Sequence, residues 1–262
     1  MAEQLRHAET VMGTVVSFDV RDAGSGARRE QVEAGLRRAV AWLHWVDEVF
    51  STYRQDSAVS RLGRGELALA DCGPEVAEVM GLGEDAERES GGAFSVRAGG
   101  SLDPSGVVKG WAVERASGIL REAGSLRHCV NGGGDIQTAG EPEPGRTWAL
   151  AVAHPLQPGA FATVVRGRGI ALATSGTSER GAHILDPRTG GPVRGDLASV
   201  TVVGSSLTAA DIAATTVFAM GSARGRPWLE QREGLDCFAV LADGRAWWTP
   251  GFTAYADLPT GS

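Results

Sequence analysis

One long amphipathic segment, residues 30–50, constrains the fold of this chain more than any other feature. Its apolar residues recur at helical spacing, from Val32 through Leu36 and Leu43 to Phe50, and this pattern predicts a helix that buries one face. Such a helix must pack its apolar stripe against a second layer of structure. A β-rich, partly alternating segment, residues 10–20, directly precedes the helix and predicts a first strand.

The rest of the chain alternates between helical and β-rich patterns. Hairpin-like strand pairs interrupt the helices, an order typical of an α+β fold rather than a doubly wound parallel sheet. We expect one domain over residues 1–262, with residues 1–9 and 250–262 loose at its ends. Helices are predicted over 56–61, 74–90, 107–123 and 208–220, and strands over 10–20, 125–130, 136–138, 147–153, 160–166, 170–173, 198–203, 237–241 and 245–249.

Composition excludes several functional classes. The net charge of -7 over 262 residues argues against a general nucleic-acid binder, because phosphate contacts need a basic surface. Cys72, Cys129 and Cys237 are far apart and odd in number, so we expect neither a disulfide framework nor a zinc site. No signal peptide or membrane segment is visible. We therefore expect a cytoplasmic protein, unless an export segment has been trimmed from it.

A polar stretch follows the apolar run 170–173. Thr174, Ser175 and Gly176 end that run, and HILDPRTG follows at residues 183–190. An ordinary polar loop at a strand end would explain these residues, because Asp-Pro and Thr-Gly form turns readily. A histidine with a pKa near neutrality also suits general-base work on a hydroxyl, and His183 is the histidine set in this polar stretch. A hydrolase triad of Ser175, His183 and Asp186 is poorly supported, since the chain has no GxSxG motif.

The helix predicted over 208–220 carries two oxygen-bearing side chains on one face. Asp211 and Thr215 are four residues apart, so they lie one turn from each other. Mg²⁺ prefers hard oxygen ligands and takes few of them from protein. The alternative is a polar stripe in the first turn of the helix, where an acidic residue is favoured by the helix dipole.

Two further motifs could serve an anion. In LDPSGVVKGWAVE, Asp103 and Lys109 flank the start of a helix whose first N–H groups could bind a phosphate, although a capped helix with a solvated lysine is equally consistent. The phosphate-loop pattern GxxxxGK[ST] is absent. NGGGD at residues 131–135 lacks the last glycine of GxGxxG. Its glycines allow either close backbone approach to a ligand or a plain tight turn.

Taken together, these stretches resemble the ApbE family, the FAD:protein FMN transferases. Each match is weak alone, but eight of them in the family's order are specific. The matching stretches are MGT (12–14), FSTYRQDSAVSRL (50–62), GGAF (91–94), LDPSGVVKGWAVE (102–114), NGGGDI (131–136), ATSG (173–176), HILDPRTG (183–190) and SVTVVGSSLTAADIAATTVFAMG (199–221).

The resemblance implies both a fold and an activity. It implies a compact, two-lobed α+β domain with mixed or antiparallel sheets and flanking helices, and a FAD site in the cleft between the lobes. It also implies Mg²⁺-dependent transfer of FMN from FAD to a threonine or serine of a target protein, with release of AMP. The partner would carry an FMN-binding domain with an acceptor motif such as Asp-Gly-x-Thr/Ser-Ala-Thr.

The resemblance also assigns roles to individual positions. Asp211 and Thr215 match metal ligands, and the carbonyl of Gly106 would complete that site. His183 matches the residue proposed as base. Either Lys109 or Arg188 would bind the phosphates, and Lys109 is the preferred candidate. Positions that match FAD contacts are Met12, Tyr53, Ala93, Phe94, Ser95, Asp103, Lys109 and Leu185.

The chain also departs from the family pattern. Gly63 stands where asparagine is usual, Ser95 where aspartate is usual and Gly132 where an apolar residue is usual, and the loop over 177–182 is short. These departures leave the flavin contact at Ser95 and the choice of target open. Two other functions stay open as well: a FAD pyrophosphatase in which water replaces the acceptor hydroxyl, and a flavin-binding module without turnover.

Overall fold

The computed structural model describes residues 4–176, 187 and 189–258. Its helices are α1 (Gly26–Phe50), α2 (Ala58–Gly63), α3 (Pro74–Glu89), α4 (Ser105–Glu122), α5 (Leu207–Met220) and α6 (Ser222–Glu230). Its strands are β1 (Leu5–Val11), β2 (Thr14–Val20), β3 (His128–Gly132), β4 (Asp135–Ala139), β5 (Trp148–Ala153), β6 (Phe161–Gly167), β7 (Ala171–Gly176), β8 (Leu197–Gly204), β9 (Asp236–Leu241) and β10 (Ala246–Trp248).

Eight of the described strands form one sheet in the order β1-β2-β3-β4-β7-β8-β9-β10, and β5 pairs with β6 in a separate hairpin. Every strand pairing in the described residues is antiparallel. The expected α+β class with antiparallel sheets and flanking helices is therefore confirmed. The pairing of β7 with β8 matters for the site, because it sets Thr174 opposite Thr201.

The large sheet is covered on both faces. In β9, Cys237 and Ala239 face the helical layer, whereas Phe238 and Val240 face the layer built from the β5–β6 hairpin and the buried Phe252. This alternation follows from the two-residue period of a strand. All eight residues of β8 are buried, because both faces of this central strand lie inside the protein.

Helix α4 lies at the centre of the helical layer, packed against α1, α5 and the β3–β4 strands. Its contact with β3 explains one departure from the family pattern. A Cβ atom at Gly132 would lie 2.6 Å from Cγ2 of Val113 on α4, a separation that real contacts do not show. Glycine at position 132 therefore lets the central helix sit close to the sheet.

Several sequence-based expectations need correction. Residues 5–9 are not loose, because they belong to β1 and pair with β2 along its whole length. The start of the predicted tail is not loose either: residues 250–254 form a 3₁₀ turn whose Phe252 is fully buried. The single strand predicted over 10–20 is a hairpin that turns at Met12 and Gly13. Helix α6 was not predicted, since it is short and contains Pro227.

The NGGGD stretch forms a tight turn. Gly133 and Gly134 connect β3 to β4, and both have positive φ angles, 62° and 98°, as two-residue hairpin turns of type I′ require. The side-chain amide oxygen of Asn131 accepts a 2.9 Å hydrogen bond from the N–H of Gly134. The turn thereby fixes the position of Asp135, the first residue of β4.

Candidate functional site

A cleft of about 480 Å³ lies where the end of α1, the start of α4, helix α5 and the end of β7 meet. His183 and Leu185, two of the predicted site residues, lie outside the described residues, as do Arg188 and the short loop 177–182. The other ten predicted site residues all line the cleft: Met12, Tyr53, Ala93, Phe94, Ser95, Asp103, Gly106, Lys109, Asp211 and Thr215. The tertiary structure thus gathers positions that the sequence spreads over more than 200 residues.

The three predicted metal-binding positions lie together at the interface of α4 and α5. Asp211 is 4% exposed, and its Oδ2 accepts a 2.9 Å hydrogen bond from the backbone N–H of Gly110. Thr215 lies one turn further along α5. Gly106 faces it, because a Cβ added at Gly106 would lie 3.9 Å from Cγ2 of Thr215. Two side chains with oxygen atoms and a main-chain segment therefore lie together on one wall of the cleft.

A residue of β7 joins this wall. The hydroxyl groups of Ser175 and Thr215 are 3.0 Å apart and hydrogen-bonded. One residue earlier, the hydroxyl group of Thr174 is 2.9 Å from that of Thr201 on β8. The sequence pointed to Ser175 only as part of a doubtful triad, and its hydrogen bond to Thr215 depends on the packing of α5 against the sheet.

The start of α5 is held by side chains from three other positions. Ser206 caps the helix by accepting from the N–H of Ala209, and Oε1 of Gln137 accepts from the N–H of Leu207. Glu114 of α4 accepts from both the N–H and the hydroxyl of Thr208, at 2.8 and 2.6 Å. These bonds satisfy backbone donors that a helix start leaves open. They also fix the rotation of α5, and with it the direction of Asp211 and Thr215.

Lys109 reaches the cleft from α4 and forms an ion pair there. Its Nζ lies 2.6 Å from Oδ2 of Asp135. The other oxygen of Asp135 accepts a 3.1 Å hydrogen bond from the backbone N–H of Thr174. The sequence motifs assign no role to Asp135, whose one local signal is its place as the acidic residue at the end of the glycine-rich turn.

The start of α4 is capped. Of the two alternatives that the sequence left open, an anion site and a capped helix, the structure shows the capped helix, because Ser105 donates its N–H to Oδ1 of Asp103 at 3.0 Å. Val107 and Val108 both donate to the carbonyl of Pro104. These three N–H groups are used inside the protein, so the positive charge that α4 brings to the cleft is the ammonium group of Lys109.

Two aromatic side chains line the cleft, Tyr53 and Phe94. Tyr53 lies in the turn between α1 and α2 and is 97% exposed, whereas Phe94 is 4% exposed. Ser57 holds that turn, because it caps α2 and donates its hydroxyl to the carbonyl of Ser51 at 2.8 Å. Ser95 donates its hydroxyl to Glu87 of α3 at 3.0 Å, so a carboxylate still lies beside this position.

Met12 occupies a strained turn at the cleft. Its φ angle of 53° is the one positive value for a non-glycine residue in the described part of the chain. Together with Gly13 it closes the β1–β2 hairpin in the manner of a type I′ turn, where asparagine or glycine is usual. Backbone strain of this kind is typical of ligand-binding positions.

Other chemistry finds little support in the described residues. They contain no cluster of three or more His, Cys, Asp or Glu side chains able to hold a metal ion. The three cysteines are not disulfide-bonded, and burial raises the pKa values of the Cys129 and Cys237 thiols to about 12, which makes both poor nucleophiles. No helix within the described ranges is long and apolar enough to cross a membrane.

Comparison with known proteins places the chain in a family with this architecture. The profile of the ApbE family matches residues 12–100 and 95–239. The chain therefore belongs to the ApbE family, as its sequence motifs indicated.

Curated relatives share a common description, "FAD:protein FMN transferase". The protein of Salmonella typhimurium is 28% identical over 166 residues, which cover 59% of this chain and 47% of that protein. The Vibrio cholerae protein is 32% identical over 165 residues, covering 60% and 48%. The Rhodobacter capsulatus protein is 29% identical over 232 residues, covering 84% and 41%. The chain spans about half the length of the curated relatives it matches.

Solved structures show the same fold. The flavin transferase ApbE from Vibrio cholerae superimposes with a TM-score of 0.82 at 21% identity, over 97% of this chain and 100% of that chain. The apo form of the Pseudomonas stutzeri flavinyl transferase ApbE gives a TM-score of 0.80 at 22% identity, over 98% of each chain. At this level of identity the likeness concerns the fold.

Proposed function

We propose that this protein transfers FMN from FAD to a threonine or serine hydroxyl of a target flavoprotein, with Mg²⁺ and with release of AMP. The observation that carries the proposal is the convergence of Asp211, Thr215, Gly106 and Lys109 on one cleft. The description shared by the curated relatives, "FAD:protein FMN transferase", supports the transfer of FMN from FAD to a protein.

The residues present fit a magnesium ion. Asp211 supplies a carboxylate, Thr215 a hydroxyl and Gly106 a main-chain carbonyl, and these are the hard oxygen ligands that Mg²⁺ prefers. The hydrogen bond from Gly110 orients the carboxylate but uses one of its roughly four acceptor positions. A bound Mg²⁺ would neutralise negative charge on the FAD pyrophosphate.

Other residues bind and position the reactants. The ammonium group of Lys109 meets the phosphates of FAD, and Tyr53 offers an exposed ring on which a flavin or adenine ring can stack. The acceptor oxygen attacks the phosphorus of the FMN half, and the bond between that phosphorus and the oxygen of the departing AMP breaks. His183 takes the proton from the acceptor hydroxyl. Positioning and charge stabilisation supply most of the rate in such transfers.

Intact-mass spectrometry tests the proposal. The protein is incubated with FAD, Mg²⁺ and an FMN-binding-domain protein that carries the acceptor motif, while nucleotides are followed by chromatography. We expect the target to gain one FMN unit for each AMP released. A target whose acceptor threonine is replaced by alanine is the matched control, and it should gain no mass.

Two other outcomes would contradict the transferase. Release of AMP and free FMN in equal amounts, with both targets unmodified, would indicate a FAD pyrophosphatase. Binding of FAD without AMP release would indicate a flavin-binding module. The role of His183 is tested separately: His183→Ala should bind FAD as the wild type does yet lose transfer, whereas an equal loss of binding would make the residue structural.

A further inference from the structure

The buried side chain of Asp135 contacts two elements that line the cleft, α4 and β7. Its side chain is 1% exposed. Oδ2 contacts the ammonium group of Lys109 on α4 at 2.6 Å, and Oδ1 accepts the N–H of Thr174 on β7 at 3.1 Å. One carboxylate thus fixes a cation and a main-chain segment that both line the cleft.

The sheet fixes the position of Asp135. It is the first residue of β4, directly after the two-glycine turn, and it pairs with Gly132 of β3. β4 also pairs with β7 through Ile136 and Leu172. The carboxylate therefore emerges from a rigid part of the sheet, whereas the lysine it contacts has a flexible four-carbon side chain.

Stability alone does not explain such an ion pair. Removing two charges from water costs about as much as their attraction returns, and apolar pairs of similar volume often stabilise a protein as well or better. Lys109 is 24% exposed and keeps contact with the cleft. Its ammonium group has three donors, so a contact with Asp135 on one side is compatible with binding an anion on the other.

We propose that Asp135 is a positioning residue: it holds the ammonium group of Lys109 where that group meets the phosphates of FAD, and it anchors this contact to the β7 backbone at Thr174. This inference rests on the proposed function of the cleft. A preorganised cation binds an anion more tightly because less side-chain freedom is lost on binding. Asp135 itself need not touch the ligand.

The test is a double-mutant cycle on FAD binding, measured by flavin fluorescence with Mg²⁺ at low ionic strength. Asp135→Asn keeps the shape and an acceptor for Thr174 but removes the charge opposite Lys109. We expect it to weaken FAD binding at least about tenfold. In a Lys109→Met background the same change should weaken binding no further, because the group it positions is gone.

Asp22→Asn is the matched control. Asp22 is also buried, accepts from the backbone N–H of Leu126 at 2.9 Å and faces Arg28, but it does not line the cleft. Its loss should leave FAD affinity unchanged even if the melting temperature falls. Thermal melting gives a second readout: Lys109→Met should lower the melting temperature more than the double variant does, because the single change leaves the Asp135 carboxylate buried without this cation.

The outcomes separate the two proposals. A wild-type protein that binds no FAD would overturn the proposed function and the positioning role with it. Normal FAD binding by Asp135→Asn would overturn the positioning role alone. A loss that persists undiminished in the Lys109→Met background would also overturn it, since Asp135 would then act independently of the lysine.

Discussion

The backbone N–H of Gly110 donates a 2.9 Å hydrogen bond to Oδ2 of Asp211, so helix α4 orients the carboxylate that α5 brings to the cleft. The two helices meet closely at this point. A Cβ atom at Gly110 would lie 2.8 Å from both Cβ of Asp211 and the carbonyl oxygen of Leu207. The absence of a side chain at position 110 is therefore a condition for the candidate metal site.

Gly110→Ala should destabilise the protein and impair the site together. The added methyl group pushes α4 away from α5, an overpacking that costs about 1–3 kcal/mol of unfolding free energy, and it displaces Asp211. Urea unfolding and Mg²⁺-dependent AMP release measure the two effects. Gly118→Ala in the same helix is the control, since a Cβ there meets nothing within 4 Å. It should stabilise the protein by about 0.5–1 kcal/mol, and an equal effect of both changes would refute the close contact.

Thr215 offers a test of the metal site that keeps side-chain volume constant. Thr215→Val removes the hydroxyl group that bonds to Ser175, and we expect Mg²⁺-dependent turnover to fall at least about tenfold. Thr215→Ser keeps the hydroxyl and should stay within a few-fold of the wild type. Titration of activity against Mg²⁺ concentration distinguishes a lost ligand from a packing defect, because only a lost ligand raises the Mg²⁺ concentration required for half-maximal rate.

The charge of Asp211 can be removed without changing its shape. Asp211→Asn retains an oxygen that can accept from Gly110, so we expect a folded protein with turnover reduced at least about 100-fold. Far-ultraviolet circular dichroism and AMP release together check this expectation. Turnover near the wild-type rate, with an unchanged Mg²⁺ concentration for half-maximal rate, would exclude Asp211 as a metal ligand.

Tyr53→Ala should weaken FAD binding by about tenfold, because stacking of a planar ring on an aromatic side chain contributes about 1–3 kcal/mol. Stability should change little, since the side chain is 97% exposed. Phe161→Ala is the matched control: Phe161 is also an exposed aromatic residue, at 66%, but it lies on the β5–β6 hairpin and does not line the cleft. FAD titrations of both variants decide the matter, and equal affinities would contradict a stacking role for Tyr53.

A buried histidine makes stability depend on pH. His128 is fully buried between the hydroxyl groups of Ser117 and Ser125. Burial, reinforced by the positive charge of Arg121, lowers its pKa from 6.5 to about 4. Between these two pH values the unfolded chain binds more protons than the folded one. The contribution of neutral His128 to the free energy of unfolding is therefore fully present above about pH 6.5, and about 3 kcal/mol of it is lost as the pH falls toward 4.

Urea unfolding at pH 7 and pH 4.5 measures this dependence. His128→Gln should reduce the difference between the two free energies of unfolding, whereas the same substitution at His154, in the loop of the β5–β6 hairpin, should not. An unchanged pH dependence in His128→Gln would assign the acid sensitivity to other groups.

Much of the candidate site could be predicted because its motifs are local. The four-residue spacing of Asp211 and Thr215 places both on one face of any helix that contains them. The motif around Asp103 and Lys109 likewise lies at the start of a helix, as expected. The sequence left open whether the first N–H groups of α4 bind an anion or are capped, because Asp103 and Pro104 satisfy them only once the turn has its actual conformation.

Apolar periodicity in the sequence was enough to predict most helices, most strands and the class of fold, because this pattern acts over a few residues at a time. Which distant groups meet depends on how the helices pack on the sheet. The pairs Lys109–Asp135, Ser175–Thr215 and Gly110–Asp211 are separated by tens of residues or more, and no local pattern encodes them. They exist because the sheet and helices can bury their apolar faces together in this one arrangement, which brings α4, α5 and β7 to a common wall.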